Sequence, residues 1–219
     1  MIAAARKLLG RLRDAQDGVA MVEFAYSLVV VVPLFLGGVE LSNYVTTRMR
    51  VSQLALHVAD NASRIGIDSL LAAPRISESQ INDLMIGANL QSGGLDLATK
   101  GRVILSSVER MASPDDDQFM IRWQRCYGTM EWESTYGDAG DDELTGVGPV
   151  GEQITAPVGT GVMFVEIAYE YEPLFLSSDI VSDTTIRETA AMVVRDDRDY
   201  VGNGGTGIFN TEGVAASTC

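Results

Sequence analysis

Hydrophobic residues form one long run near the start of the chain. Residues 19–41 carry only two charges, Glu23 and Glu40, one near each end. At about 1.5 Å per residue a helix of this length rises about 35 Å, enough to cross a hydrocarbon core of about 30 Å. The run therefore predicts a transmembrane helix, with a kink at Pro33.

Beyond the run the hydrophobic positions take helical spacing, which predicts that the helix continues to about Ile65. No Gly or Pro interrupts residues 41–65. The predicted apolar stripe consists of Val45, Met49, Leu54, Val58, Ala62 and Ile65. We expect one kinked helix, half in lipid and half packed on a globular head, with His57 on its surface.

A second helix and four strands are predicted downstream. Ser77 and Gln80 form a capping-box pattern where the helix begins, and Gly93-Gly94 ends it. Period-two alternation predicts the strands, at residues 102–110, 118–127, 162–171 and 184–195.

The turn residues at 113–117 indicate a hairpin, and the Gly-rich, acidic connection 128–160 indicates irregular structure. Strict alternation would put Phe119, Ile121 and Trp123 on one face of the second strand. The expected fold is α+β, with a long N-terminal helix packed on an antiparallel sheet of about four strands.

Charge is distributed unevenly along the chain. Residues 1–17 carry a formal +2, residues 42–219 carry −14, and the whole chain carries −14. Basic residues before an apolar span predict a cytoplasmic N-terminus, although Arg48 and Arg50 weaken the asymmetry. The acidic balance argues against nucleic-acid binding, and a single histidine argues against a multi-histidine metal site.

Glu23 is the informative residue of the run, because a carboxylate inside a membrane span costs free energy and usually marks a function. It is the fifth residue after Gly18 and precedes Phe24, in the string DGVAMVEF. A basic leader, a Gly, four residues, a Glu, an aromatic residue and an apolar helix together resemble a class III prepilin signal. The wider string GVAMVEFAYSLVVVVPLFLGGVELSNYV resembles the N-terminus of TadE-like pseudopilins of the tight-adherence (Tad, Flp) pilus. The strings WQRCYG, GVMFVEIAYEYEPLF and ETAAMVVR are similar to the heads of such proteins.

The resemblance implies a minor pseudopilin that acts structurally in pilus assembly and adhesion, without enzymatic activity, a cofactor or a metal. A prepilin peptidase would cut between Gly18 and Val19. The expected partners are that peptidase, sister pseudopilins, the pilus assembly platform and the membrane, crossed once. The parts are a leader (1–18), a transmembrane helix (19–41), a periplasmic continuation (42–66) and a periplasmic head (67–219).

The cut would create an amine at Val19, one helical turn from Glu23. A cation and a carboxylate in lipid each need a partner, so Glu23 would pair with this amine or with that of a neighbouring subunit. The alternative is a Glu23 that reaches the headgroups from the helix start and has no further role.

Other interpretations of the N-terminal segment stay open. A secretory signal peptide would need a shorter apolar core and a small-x-small cleavage site, which is not evident here. A signal-anchored periplasmic ligand-binding or enzymatic domain fits the hydropathy, and a secreted adhesin-like domain would follow conventional cleavage. The larger TadG-like relatives are disfavoured, because the chain lacks their D-x-S-x-S metal motif.

Candidate sites in the head are few. Cys126 and Cys219 would pair in an oxidising compartment, the alternative being two free thiols. Acidic clusters at 115–117, 138–143 and 196–199 contain calcium-type ligands but no EF-hand spacing, which favours solvated loops. The pairs Glu131/Glu133 and Glu170/Glu172 are of the type glycosidases use, yet nothing selects them over exposed strand charges. No hydrolase, nucleotide-binding or metalloprotease motif is present, so no catalytic residue is assigned.

Overall fold

The described part of the chain begins with a long helix. The computed structural model describes residues 17–69, 72–111, 118–175, 184–196 and 198–219, and the predicted turn at 113–117 lies outside them. Helix α1 runs from Asp17–Ala62 without a break and includes Pro33. Its 46 residues correspond to about 70 Å. The predicted continuous helix is present, and it ends slightly before Ile65.

The two halves of α1 have different surroundings. From Gly18 to Val39 the side chains are exposed or half-buried, and Glu40 is the first buried residue along the helix. The buried stripe further on consists of Val51, Leu54, Ala55, Val58, Ala59 and Ala62.

The predicted stripe was wrong at Val45 and Met49, which are 46% and 57% exposed. At 3.6 residues per turn, Met49 lies on the opposite side of the helix from Val58. The sheet packs instead against a face rich in alanine, where the two backbones approach closely.

Short elements connect α1 to the main sheet. Strands β1 (Ile67–Ser69) and β2 (Ala72–Ser77) form an antiparallel pair. Helix α2 (Glu78–Ser92) begins with a complete capping box between Ser77 and Gln80, as predicted, and ends at Gly93 with φ of 60°. A 3-10 turn (Gly93–Leu95) and the short helix α3 (Leu97–Lys100) complete this connection.

The four predicted strands form one antiparallel sheet. They are β3 (Gly101–Arg110), β4 (Phe119–Tyr127), β5 (Gly161–Glu170) and β6 (Thr185–Val193). The strand order is β4-β3-β5-β6, and neighbouring strands are antiparallel. The α+β fold with a long helix packed on a four-stranded sheet is confirmed.

The predicted faces of β4 were wrong at Trp123, because a β-bulge interrupts the strand. The register between β3 and β4 shifts at Ser107/Val108. Trp123 therefore joins the core beneath α1, whereas Phe119 and Ile121 join a second cluster on the other face of the sheet. An extra residue in one strand breaks strict alternation, which no period-two pattern can anticipate.

Both faces of the sheet are covered. Helices α1 and α2 cover one face over Leu105, Met163 and Val165. The connection 128–160, irregular as expected, covers the other face with Val147 and Ala156 against Phe164. A short helical turn α4 (Gly202–Gly205) and strand β7 (Ile208–Phe209) follow, and β7 pairs with β2 in a small three-stranded sheet.

Candidate functional site: the exposed helix and its junction with the head

The exposed half of α1 presents Glu23 to its surroundings. Val19, Phe24 and Tyr26 are exposed, and so is Glu23. The backbone carbonyl of Glu23 accepts a hydrogen bond from the Ser27 hydroxyl at 2.9 Å. Within the described part of the chain, the Glu23 carboxylate itself makes no hydrogen bond. The Glu23 carboxylate is thus directed away from the fold and is accessible to another molecule.

The four predicted residues Gly18, Val19, Glu23 and Phe24 lie on consecutive turns of one helix. Gly18, Val19 and Glu23 line one shallow depression with Val22 and Tyr26. Glu23 follows Val19 by four residues, which on a helix places the two side chains on the same face about 6 Å apart along the axis. Among the described residues, apart from its chain neighbours and the backbone of its own helix, no atom lies within 4 Å of a Cβ built on Gly18, so this side of the helix is open to approach.

Glu40 marks the point where α1 meets the head. Its carboxylate is buried, and among the described residues it accepts hydrogen bonds from the Tyr171 hydroxyl at 2.5 Å and from the backbone N–H groups of Leu174 and Phe175 at 2.9 Å each. These bonds satisfy two backbone donors of the loop that follows β5. In the sequence, Glu40 is a charge at the end of the run and the Glu that follows the Gly-rich exit of the TadE-like pattern, but no structural role was predicted for it. The argument applied to Glu23, that a carboxylate in an apolar span needs a role, would have singled it out.

Tyr171 connects several residues of α1 to the sheet. Its hydroxyl also accepts from the Asn43 side-chain amide at 2.9 Å, and its ring packs edge-on against Tyr44 at 5.2 Å. Burial is the largest cause that raises the pKa of Tyr171 above its ordinary value, and the hydrogen bond to Glu40 raises this pKa further. The hydroxyl therefore stays protonated and remains a donor to Glu40.

Two arginines attach α1 to the head further along. Arg48 donates to Glu188 of β6 at 2.7 Å in an exposed ion pair. Arg198 is buried, and its Nη2 donates to backbone carbonyls at the end of α1, including Ile65 O at 2.5 Å and Ser63 O at 3.4 Å. A cation there complements the negative end of the helix dipole. Burial lowers the pKa of Arg198 from its usual value.

The C-terminal tail is held against β4. Cys126 and Cys219 are joined, with sulfurs 2.11 Å apart and Cα atoms 4.9 Å apart. The Cys126 N–H donates to Ser217 O at 2.7 Å, and the Ser217 hydroxyl donates to Asn82 of α2 at 2.6 Å. The tail thereby bridges the edge strand of the main sheet and α2.

Two buried carboxylates lie on the main sheet, away from α1. Glu166 accepts from the Ser134 hydroxyl at 2.5 Å and from Thr135 N–H at 3.1 Å. Glu109 accepts from Arg122 at 2.5 Å. Burial is the largest influence on both and raises the pKa of each above the ordinary glutamate value. Their partners are fixed structural groups, so these carboxylates stabilise the sheet and its covering loop.

The acidic clusters hold their own loops. The Asp141 carboxylate accepts from Asp138 N–H at 2.9 Å, and the Asp199 carboxylate accepts from Gly202 N–H at 2.8 Å. Among the described residues, no three His, Cys, Asp or Glu side chains converge as metal ligands do. The cluster at 115–117 lies outside the described residues.

The other predicted carboxylate pairs are dispersed. Glu131, Glu133 and Glu170 are exposed. Glu172 is paired with Lys100 at 2.5 Å, and that bond lowers the pKa of Glu172. These four groups therefore face solvent or a surface lysine, as ordinary surface charges do.

One helix of the described chain is long and apolar enough to cross a membrane, and none of its most apolar stretch is buried. The family model of TadE-like proteins matches residues 18–65. Residues 18–65 form a TadE-like segment. This match covers the helix described above, from the Gly18 turn to just beyond its C-terminus, and confirms the resemblance.

The match lies within the part of the chain that carries the apolar helix, and it agrees with membrane anchoring through that helix. It does not extend into the sheet, so the resemblance of the head strings stays a prediction. No curated protein matches the chain, and no solved structure matches it.

Proposed function

We propose that this chain is a minor pseudopilin of a Tad-type pilus, inserted in the bacterial inner membrane with its N-terminus in the cytoplasm and its head in the periplasm. The observation that carries the proposal is the division of α1. Its N-terminal half is exposed, apolar and of membrane length. It carries one carboxylate, Glu23, within a TadE-like segment, while the other half packs on the head.

Processing by a prepilin peptidase follows from this proposal. The peptide bond between Gly18 and Val19 would be hydrolysed, which releases the basic leader and leaves Val19 as a new amino terminus. The open surroundings of Gly18 favour access to this bond. The mature subunit would keep its membrane helix and its head.

Glu23 and Phe24 would then act in assembly. An exposed carboxylate in lipid is unfavourable until it meets a cation, and the Val19 amine of a neighbouring subunit supplies one. Such a pair between subunits sets their stagger along the helix axis, because each turn of shift separates the two charges by about 5.4 Å. The partners in this step are sister pseudopilins at the assembly platform.

The test is the intact mass of the protein purified from its native membranes. A mass that corresponds to a chain beginning at Val19 supports the proposal. The Gly18→Leu substitution should abolish this cleavage. Gly37→Leu is the matched control, because a Cβ built on Gly37 also has no atom within 4 Å and lies on the same helix. A mass that starts at Met1, in cells with an active prepilin peptidase, would exclude prepilin processing.

The same measurement separates the alternatives. A signal-anchored ligand-binding or enzymatic domain would remain uncut and membrane-bound. A secreted adhesin-like domain would lose its whole apolar segment and leave the membrane fraction. Neither alternative requires Glu23, whereas the pseudopilin needs it.

A further inference from the structure

The described part of the loop that follows β5 ends in a pair of apolar residues. Leu174 and Phe175 lie side by side directly after Pro173 and are 58% and 53% exposed. The head that carries them is strongly acidic. Two adjacent large apolar side chains on such a surface indicate contact with an apolar partner.

This apolar pair lies beside the exposed half of α1. Leu174 lines an open groove of about 630 Å³ whose apolar helix residues are Leu34, Phe35, Gly38 and Val39; its end nearer the head is lined by the polar residues Ser42, Asn43 and Thr46. Those helix residues belong to the last turns of the apolar run. The side chain of Leu174 is therefore level with the last turns of the apolar run.

Glu40 holds the apolar pair at this level of the helix. Its Oε2 accepts from the N–H groups of both Leu174 and Phe175 at 2.9 Å. An irregular loop at a membrane boundary is tolerated only when its backbone donors are paired, because little water is present to hydrate them. The carboxylate supplies that pairing, and Glu40 is thus a positioning residue for the loop.

We propose that Leu174 and Phe175 insert into the bilayer beside α1, at the boundary between acyl chains and headgroups. This rests on the membrane anchoring in the proposed function. The occupant of the surface is lipid, because the groove is continuous with the lipid-facing side of α1. The contact is apolar, since the acidic head gains nothing from anionic headgroups. The head is then held to the membrane at two points, the helix and the Leu174–Phe175 pair. These two points fix the orientation of the head relative to the membrane.

The test uses the full chain with a bimane fluorophore on one introduced cysteine, reconstituted in phosphatidylcholine vesicles that contain nitroxide-labelled phosphatidylcholine. The three sites are Phe175→Cys in the apolar pair, Val30→Cys in the exposed helix and Val150→Cys on the head. Val150 is 100% exposed. Quenching at Phe175 and Val30 should exceed that at Val150 by about threefold or more, as expected for apolar insertion.

The outcomes are distinct. Quenching at Val30 without quenching at Phe175 overturns the inference and leaves the membrane anchor intact. Absence of quenching at both sites overturns the anchor itself. Excimer formation between pyrene labels at Phe175, with no lipid quenching, means that a second copy occupies the groove and also overturns the inference.

A second substitution tests whether the apolar character of Leu174 is what brings the labelled site into the bilayer. Leu174→Asp in the Phe175→Cys background should lower quenching to the level of Val150, because the aspartate resists insertion. Val158→Asp is the matched control, since Val158 is 80% exposed on the head, and should leave quenching unchanged. Unchanged quenching in the Leu174→Asp variant would contradict the inference.

Discussion

Glu40 and Tyr171, 131 positions apart in sequence, are joined by a 2.5 Å hydrogen bond from the Tyr171 hydroxyl to Glu40 Oε1. The bond connects the last turn of the apolar run to the end of β5. It lies where α1 changes from an exposed helix to one packed on a sheet. The pair therefore joins the helix to the head at the point where their packing begins.

Removal of the Tyr171 hydroxyl should weaken this junction. Tyr171→Phe leaves both Glu40 and Asn43 without that partner, and the loss of a bond to a charged group corresponds to about 1.5–3 kcal/mol. We expect a lower free energy of unfolding for the full chain in detergent, measured by chemical denaturation. Tyr26→Phe is the control, because Tyr26 is exposed on α1, the helix that carries Glu40 and Asn43. Equal midpoints for the two variants would show that the junction bond contributes nothing.

Glu23 should matter for assembly but not for processing. Glu23→Gln removes the charge that would pair with the Val19 amine and preserves the size of the side chain. We expect a mature protein of normal mass that no longer cross-links to sister subunits in native membranes. Ser27→Ala, one turn further along α1, should cross-link as the wild type does. If Glu23→Gln cross-links equally well, the pairing hypothesis fails.

Burial of Glu166 should make stability depend on pH. The pKa of Glu166 is raised in the folded state, so the folded state binds more protons than the unfolded state between the two pKa values. The stabilisation is fully present below the unfolded pKa and is lost as the pH rises through the folded pKa.

Glu166→Gln should remove this part of the dependence. A glutamine can still accept from Thr135 N–H and donate to the Ser134 oxygen. In denaturation series at successive pH values, the wild type should lose more stability than Glu166→Gln on going from acid to neutral pH. Exposed Glu152→Gln should follow the wild type. Parallel curves for wild type and Glu166→Gln would contradict the assignment.

The bridge between Cys126 and Cys219 should stabilise the head through the unfolded state. It closes a loop with a sequence separation of 93, for which chain entropy gives roughly 4–5 kcal/mol. Unfolding in the presence of reductant should therefore occur at a lower denaturant concentration. The double variant Cys126→Ala/Cys219→Ser should unfold at that lower concentration with or without reductant. A wild type insensitive to reductant, with reduction verified by mass, would argue against this contribution.

Removal of one partner from the ion pair of Glu78 and Arg125 should lower the free energy of unfolding. Arg125 donates to both carboxylate oxygens of Glu78 at the start of α2, and both side chains are mostly buried. Glu78→Ala leaves a buried guanidinium unpaired, which typically destabilises by about 3–5 kcal/mol. The double variant Glu78→Leu/Arg125→Met should recover most of that loss in the same denaturation assay.

An exposed ion pair gives the comparison. Arg64 and Asp60 are paired at 2.9 Å at the C-terminal end of α1, and Arg64→Ala should change stability by less than about 1 kcal/mol. Similar losses for Arg64→Ala and Glu78→Ala would show that burial does not set the difference.

The sequence by itself determined the elements whose signals are local. The apolar run and the uninterrupted stretch after it specify α1, because helical hydrogen bonds form within four residues. The capping box at Ser77 and Gln80 specifies the start of α2, and alternation specifies the four strands. The prepilin-type spacing of Gly18 and Glu23 is likewise local, and the family comparison found a TadE-like segment at the same place.

Only the tertiary structure decided which distant groups meet. The burial of Glu40 by Tyr171 and by the loop at Leu174 depends on how β5 packs against α1. The displacement of the buried stripe away from Met49 depends on which helix face the sheet reaches, and the bulge decided the face of Trp123. Residues far apart in sequence become neighbours through packing of the whole chain, and no periodicity within either segment encodes that choice.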